Sequence, residues 1–238
     1  MHKHDHTPDG IQKRFSSAPE HSYLRDWVYG GLDGAVTTFA LVAGAIGANS
    51  GHTVILLLGL TNIIADGFSM AAANFLATKT ERDEHKYYES IEKKHVRYVP
   101  HGEKHEIKQI FRNKGFRGDI LKKIVQHVTK NKKLWVNTML REEYGLPQSV
   151  RCAWRAAVCT FLSFAICGSI PLIPFIFSWR HSVLISAIAT GAVFFAIGSV
   201  KSLWSVHAWW KPAFLVFGIG AFTALLGFLV GEAVKIWV

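Results

Sequence analysis

The sequence predicts an all-α membrane protein with five transmembrane helices and a cytosolic helical domain inserted between the second and the third. Three observations carry that expectation. Apolar runs occupy 27–48, 53–78, 153–177, 183–200 and 212–234, each close to the roughly 20 residues that cross a hydrocarbon core. The polar segment 79–151 is too long for a simple connection in a compact fold. Of the 27 Lys and Arg, 18 lie in that segment, and basic residues collect in cytosolic loops.

The same bias orients the rest. Lys3, Lys13, Arg14 and Arg25 precede the first run, and Lys201 with Lys211 separates the last two, all on one side of a five-span protein. The opposite loops hold only Arg180, and the C-terminal end only Lys235. The N-terminus and 79–151 are therefore expected in the cytosol. Half of the residues are hydrophobic and the mean hydropathy is +0.18, which fits segregated polar and apolar regions better than a soluble domain. The net charge of +10 follows from the positive-inside bias and attraction to anionic lipid. With no recognition motif beside it, nucleic acid is not expected as a partner.

Residues 1–26 read as a polar, His-bearing tail with no apolar core of a cleavable signal peptide. Its Met-His-Lys-His-Asp-His run is a loose metal holder at best, and a disordered tail is the expectation. The first span, in 27–78 with the second, carries one charge, Asp33, with Thr37 a turn later and Gly30, Gly31 and Gly34 around it. The second carries Asp66, flanked at four-residue spacing by Asn62 and Met70, so the three share one helical stripe. A carboxylate in mid-membrane costs roughly 2.5 to 3.5 kcal/mol unless a proton, a cation or water meets it. Both aspartates are thus candidates for a cation or proton path, the bland alternative being neutral, hydrogen-bonded packing residues. A thioether beside carboxylates favours a softer divalent metal than Ca²⁺ or Mg²⁺.

No Gly or Pro interrupts the passage out of the second run, so that helix should continue into the cytosol to about Val96, with a break at Pro100 and Gly102. Along this stalk Glu81, Glu84, His85, Tyr88, Glu92 and His95 keep to one face. Glu92-x-x-His95 has the spacing of di-iron helices, without a second copy. Spacing alone serves a metal-binding face and a solvated, salt-bridged helix equally. Three short helices follow near 103–113, 118–130 and 132–144, separated by Gly115 and Gly118 and closed by Gly145. Met139 and Glu143 lie one turn apart on the last, where packing is the simpler role.

The third span, in 152–238, should be kinked or cut short by Pro171 and Pro174. Arg155 snorkels from its cytosolic end, and Cys152, Cys159 and Cys167 are packing residues rather than a redox pair. Small residues four apart, Gly67 with Ala71 and Gly227 with Gly231, allow close helix approach. There is no nucleotide loop and no nucleophile elbow, so an enzyme is not expected.

Taken together these residues resemble the vacuolar iron transporter family, from about Arg25 to the C-terminus. The specific pieces are Asp33-Gly34, the Phe-Ser-Met ending at Met70, the acidic stalk, the segment 135–146 and Gly-Ser-Ile-Pro-Leu-Ile-Pro at 168–174. The resemblance implies a homodimer of five-span protomers with a cytosolic helical metal-binding domain. It implies export of Fe²⁺ or Mn²⁺ from the cytosol in exchange for protons, with no permanently bound cofactor. By match to the family, Asp33 and Met70 are membrane metal ligands, and Glu81, Glu84, Glu92, Met139 and Glu143 belong to the cytosolic domain. This chain has Asn62 where plant members carry an acid, Asp66 one turn further on, His95 where a further Glu is expected, and Leu140 where a second Met is common. The path is thus expected at Asp33, Met70, Asn62 and Asp66. The cytosolic metal site is expected at Glu81, Glu84, Glu92, His95, Met139 and Glu143. The competing expectation is a membrane-bound sensor or store that binds metal without moving it. Short length and the lack of a targeting segment favour a bacterial plasma membrane over a vacuolar one.

Overall fold

The computed structural model describes residues 7–16, 22–147, 150–202, 208 and 210–237, and these contain no strand. Inside the supposed tail lies a short helix, α1 (Pro8–Ser16). Thr7 Oγ1 accepts from Gly10 N at 3.2 Å and Pro8 opens the first turn, a start signal that composition alone hides. The His-bearing run 1–6 lies outside the described residues.

Helix α2 (Leu24–Gly47) begins three residues before the apolar run, which takes Arg25 and Asp26 into its first turn. It ends where Asn49 adopts a left-handed backbone, φ 54°, a conformation Asn tolerates. Helix α3 (His52–Tyr98) is continuous for 47 residues, as expected from the absence of Gly or Pro after Gly67. It stops because Pro100 forces the preceding Val99 out of helical geometry. Pro100 then becomes the first residue of α4 (Pro100–Asn113), three residues earlier than predicted, since a proline there loses no hydrogen bond. Helices α5 (Gly118–Lys130) and α6 (Lys132–Glu142) follow. Asn131 joins them, its Oδ1 accepting from Lys133 N and Leu134 N at 3.0 and 3.1 Å, a cap worth about 1 kcal/mol.

The chain divides into two compact units. The polar one takes in Thr78–Arg151 with α1. Its core is Val96, Ile107, Val128, Trp135, Val136, Met139 and Leu140, with Tyr88 and Tyr144 packed against it. Fully burying each large apolar side chain there contributes about 1.5 to 3 kcal/mol.

The apolar unit is built from Ser22–Ala77 and the chain from Cys152 onward. It holds α2, the first part of α3, α7 (Ala153–Ser169), a 3₁₀ turn (Ile170–Leu172), α8 (Ile173–Ile176), α9 (Ser182–Ser202) and α10 (Trp210–Trp237). Pro171 and Pro174 do cut the third span, converting its end to the 3₁₀ turn and a single α-turn. Five helices are long and apolar enough to cross a membrane: α2, α3, α7 through α8, α9 and α10. Large apolar side chains such as Leu57, Ile64 and Phe222 are more than half exposed on this unit, which suits lipid as its solvent.

Helix α2 is the axis of this unit. At Gly34 a Cβ would meet the Phe164 carbonyl oxygen of α7 and lie 2.9 Å from its Cα. At Gly231 it would lie 2.9 Å from Ala48 N at the end of α2. Backbone thus lies on backbone on two sides of α2, the packing that small residues permit in membranes.

Candidate metal sites

In the polar unit, α3 and α4 turn back on each other at Val99, which brings Glu92 and His95 of α3 beside Glu103 of α4. Ligand atoms of the three lie within 4.8 Å of one another. His95 Nδ1 is 3.2 Å from Glu92 Oε1 and 3.4 Å from Glu103 Oε1. Glu92 is fully buried and Glu103 nearly so, while His95 stays half open to solvent. Tyr144 OH donates to Glu92 Oε1 at 3.0 Å.

The other oxygen of each acid, Glu92 Oε2 and Glu103 Oε2, is buried with no hydrogen-bond partner among the described residues. Leaving such groups unpaired is costly. Burial, then the negative charges of Glu92 and Glu106, push the Glu103 carboxyl up to about 8. Glu143 is raised by burial and then by the charges of Glu92 and Glu106, which brings both residues into the same electrostatic field. Burial and its bond to Glu92 hold the Tyr144 hydroxyl well above its ordinary value, so it remains a neutral donor. Two buried carboxylates cannot both ionise without a cation. Oxygens with an imidazole nitrogen form a donor set for a first-row divalent metal.

Glu92, His95 and Glu143 of the expected set therefore fall within this field. Met139 is fully buried in the core, and its carbonyl accepts from Glu143 N at 2.9 Å. Glu81 and Glu84 lie outside the cluster. Eleven residues of helix place Glu81 about 16 Å from Glu92, and it faces Arg151 at 3.9 Å. The structure adds Glu103 and Glu106, which the sequence reading left out. Their i, i+3 spacing repeats that of Glu92 and His95, with Glu in place of His.

In the apolar unit, α2 and α3 run antiparallel with a polar seam between them. Asn62 Nδ2 donates to Thr37 Oγ1 and to the buried Thr38 Oγ1, each at 3.2 Å, and Thr37 Oγ1 donates to the Asp33 carbonyl at 2.8 Å. Three turns along α3, Asn74 Nδ2 donates to Asp26 Oδ1 at 2.9 Å and to Thr160 Oγ1 of α7 at 2.7 Å. Asn62, Asp66, Met70 and Asn74 form one stripe, four residues apart. Its amide ends are bonded to α2, and its middle lies at the level of Asp33.

A cavity of about 570 Å³ is lined by Thr37, Asn62, Asp66 and Thr223, and another of about 760 Å³ by Asp26, Tyr29, Met70 and Asn74. Asp33 lies on α2 between these two levels. The sequence reading missed Asp26 and Asn74. Continuing the stripe one more turn past Met70 would have found Asn74.

A model of the VIT family matches residues 24–232, a span that holds every residue of both sites. The chain is 28% identical over 237 residues to vacuolar iron transporter 1 of Oryza sativa subsp. japonica, covering 98% of this chain and 92% of that one. It is 27% identical over 250 residues to the vacuolar iron transporter of Plasmodium berghei (strain Anka), covering 99% and 90%. To vacuolar iron transporter 1 of Tulipa gesneriana it is 31% identical over 168 residues, covering 70% and 68%.

Proposed function

This chain belongs to the VIT family, and from that premise we propose that it exports a divalent transition metal, Fe²⁺ or Mn²⁺, from the cytosol in exchange for protons. The observation that carries the reading is Asp33, on α2 between a cavity lined by Asp66 and one lined by Met70, in a unit whose helices are apolar enough to cross a membrane. Carboxylates are expensive there, and a passing dication meets that cost.

The polar unit, on the cytosolic side in this reading, collects hydrated metal at Glu92, His95 and Glu103, with Glu106 and Glu143 adding negative field. Binding displaces the proton that Glu103 holds, and metal reaches Asp33 and Met70 with part of its water removed. Protons arriving from the opposite side return the carboxylates to neutrality and release the metal there. Asp66 is exposed on the outer surface of α3. A second copy of the chain covering that surface would keep Asp66 out of lipid, which supports a homodimer with the path near its interface.

The relatives named above are eukaryotic and lend no support to a bacterial plasma membrane; export from the cytosol applies to either location. A sensor or store remains the second reading, because the Glu92, His95 and Glu103 cluster is complete within its own unit. The test is Fe²⁺ and Mn²⁺ flux into proteoliposomes under an imposed proton gradient, wild type against Asp33→Asn. Flux that follows the gradient and is lost in the variant is expected. Metal bound by the wild type without flux would establish the store.

A further inference from the structure

Helices α3 and α6 of the polar unit border a cavity of about 500 Å³ that the metal cluster does not use. One face of α3 supplies Glu89, Lys93 and Arg97, at four-residue spacing, and the start of α6 supplies Lys132 and Lys133. Val96 and Val136, both buried in the core of the unit, form its apolar floor. Four cations thus share one hollow with a single carboxylate, and Glu89 Oε1 is already engaged by Lys93 Nζ at 2.6 Å. Among the described residues, Arg97, Lys132 and Lys133 make no ion pair within 4.0 Å. The two lysines also stand in the first turn of α6, where no acid accompanies them and the helix dipole presents its own positive end. Like charges gathered in this way repel one another until an anion joins them.

We propose that this cavity binds a phosphate-bearing anion of two or more negative charges. Asn131 Oδ1 already takes the backbone donors Lys133 N and Leu134 N, so recognition falls to the side chains rather than to the helix terminus. Arg97 offers a planar fork to phosphate oxygens and the lysines offer point charges. The apolar floor leaves room for an organic portion beyond the phosphate. A soluble phosphate and a lipid headgroup share this chemistry. The site belongs to the polar unit alone and does not rest on the transport reading.

The probe is inorganic pyrophosphate, titrated by calorimetry into the full chain in phosphatidylcholine nanodiscs after metal is removed on a chelating resin. Saturable binding is expected, weakened about 10- to 100-fold by Arg97→Gln or by Lys133→Gln, each of which removes one charged donor. Lys122→Gln with Lys123→Gln takes two charges from α5 outside the cavity and should leave binding within about twofold, roughly 0.4 kcal/mol. Absence of saturable binding overturns the proposal, and so does an equal loss from the α5 pair, which would mark diffuse surface charge. If Arg97→Gln does not yield monodisperse protein, Lys133→Gln decides. Nanodiscs containing phosphatidic acid, compared with phosphatidylglycerol at equal charge, separate the two sources. Pyrophosphate binding weakened only by phosphatidic acid assigns the cavity to a lipid headgroup, and binding equal in both assigns it to a soluble phosphate.

Discussion

Glu92 and Glu103, on successive helices, each bury one carboxylate oxygen without a partner while their other oxygens converge on His95 Nδ1 at 3.2 and 3.4 Å. The polar unit is thus assembled around a charge deficit that a proton or a metal must fill.

Metal binding should follow pH through this pair. With its carboxyl raised from 4.5 to about 8, Glu103 keeps a proton at neutral pH that metal must displace. Affinity for Mn²⁺ should rise as pH climbs through that range and fall as the proton returns to Glu103. Titration calorimetry in buffers of different ionisation enthalpy should show proton release on binding, and release that does not vary with pH would count against Glu103.

The stability of the metal-free protein should move the opposite way. A carboxyl raised on folding binds more protons in the folded state, so its stabilising contribution is complete below 4.5 and is lost as pH rises through about 8. The melting temperature of the polar unit should drop across that interval. Glu103→Gln, which cannot ionise, should flatten the drop and still bind metal about 10- to 100-fold more weakly.

Glu106, which the sequence reading left out, acts on the cluster, whereas Glu81 faces Arg151. Glu106→Gln should weaken metal binding by the polar unit, because its charge acts on both Glu103 and Glu143. Glu81→Gln should leave that binding within twofold of wild type, about 0.4 kcal/mol, since its neighbour is Arg151. Equal losses from the two variants would restore the whole stalk face as the site.

Packing around α2 offers a test without metal. Gly34→Val drives a side chain into the Phe164 backbone and should cost about 1 to 3 kcal/mol, read as a lower melting temperature in detergent. Gly218→Ala, where a Cβ meets nothing within 4 Å, is the matched control.

Much of this was legible along the chain. Apolar run lengths foretold all five long helices, and the missing Gly and Pro after Gly67 foretold one unbroken α3. The i, i+4 rule placed Asn62, Asp66 and Met70 together. The same rule overreached on the stalk, where a stripe from Glu81 to His95 is about 21 Å long and no single ion spans it. What closes the site is the reversal at Val99 and Pro100, which returns Glu103 to Glu92. Periodicity within one helix carries no information about such a reversal. Asp26 was lost for a simpler reason: a hydropathy run starting at Trp27 discards the charged first turn that the helix keeps.

The contrast between the two sides of α2 bears on motion. Toward α7 and α10 the backbones touch, so those helices form a stator in which sliding would meet hard atoms at once. Toward α3, Asn62 and Asn74 hold by side-chain bonds. Inter-helix bonds in membranes average about 0.6 kcal/mol, the size of one thermal quantum at 298 K. Of the helices around α2, the part of α3 in the apolar unit therefore meets the least steric resistance to a shift along its own axis.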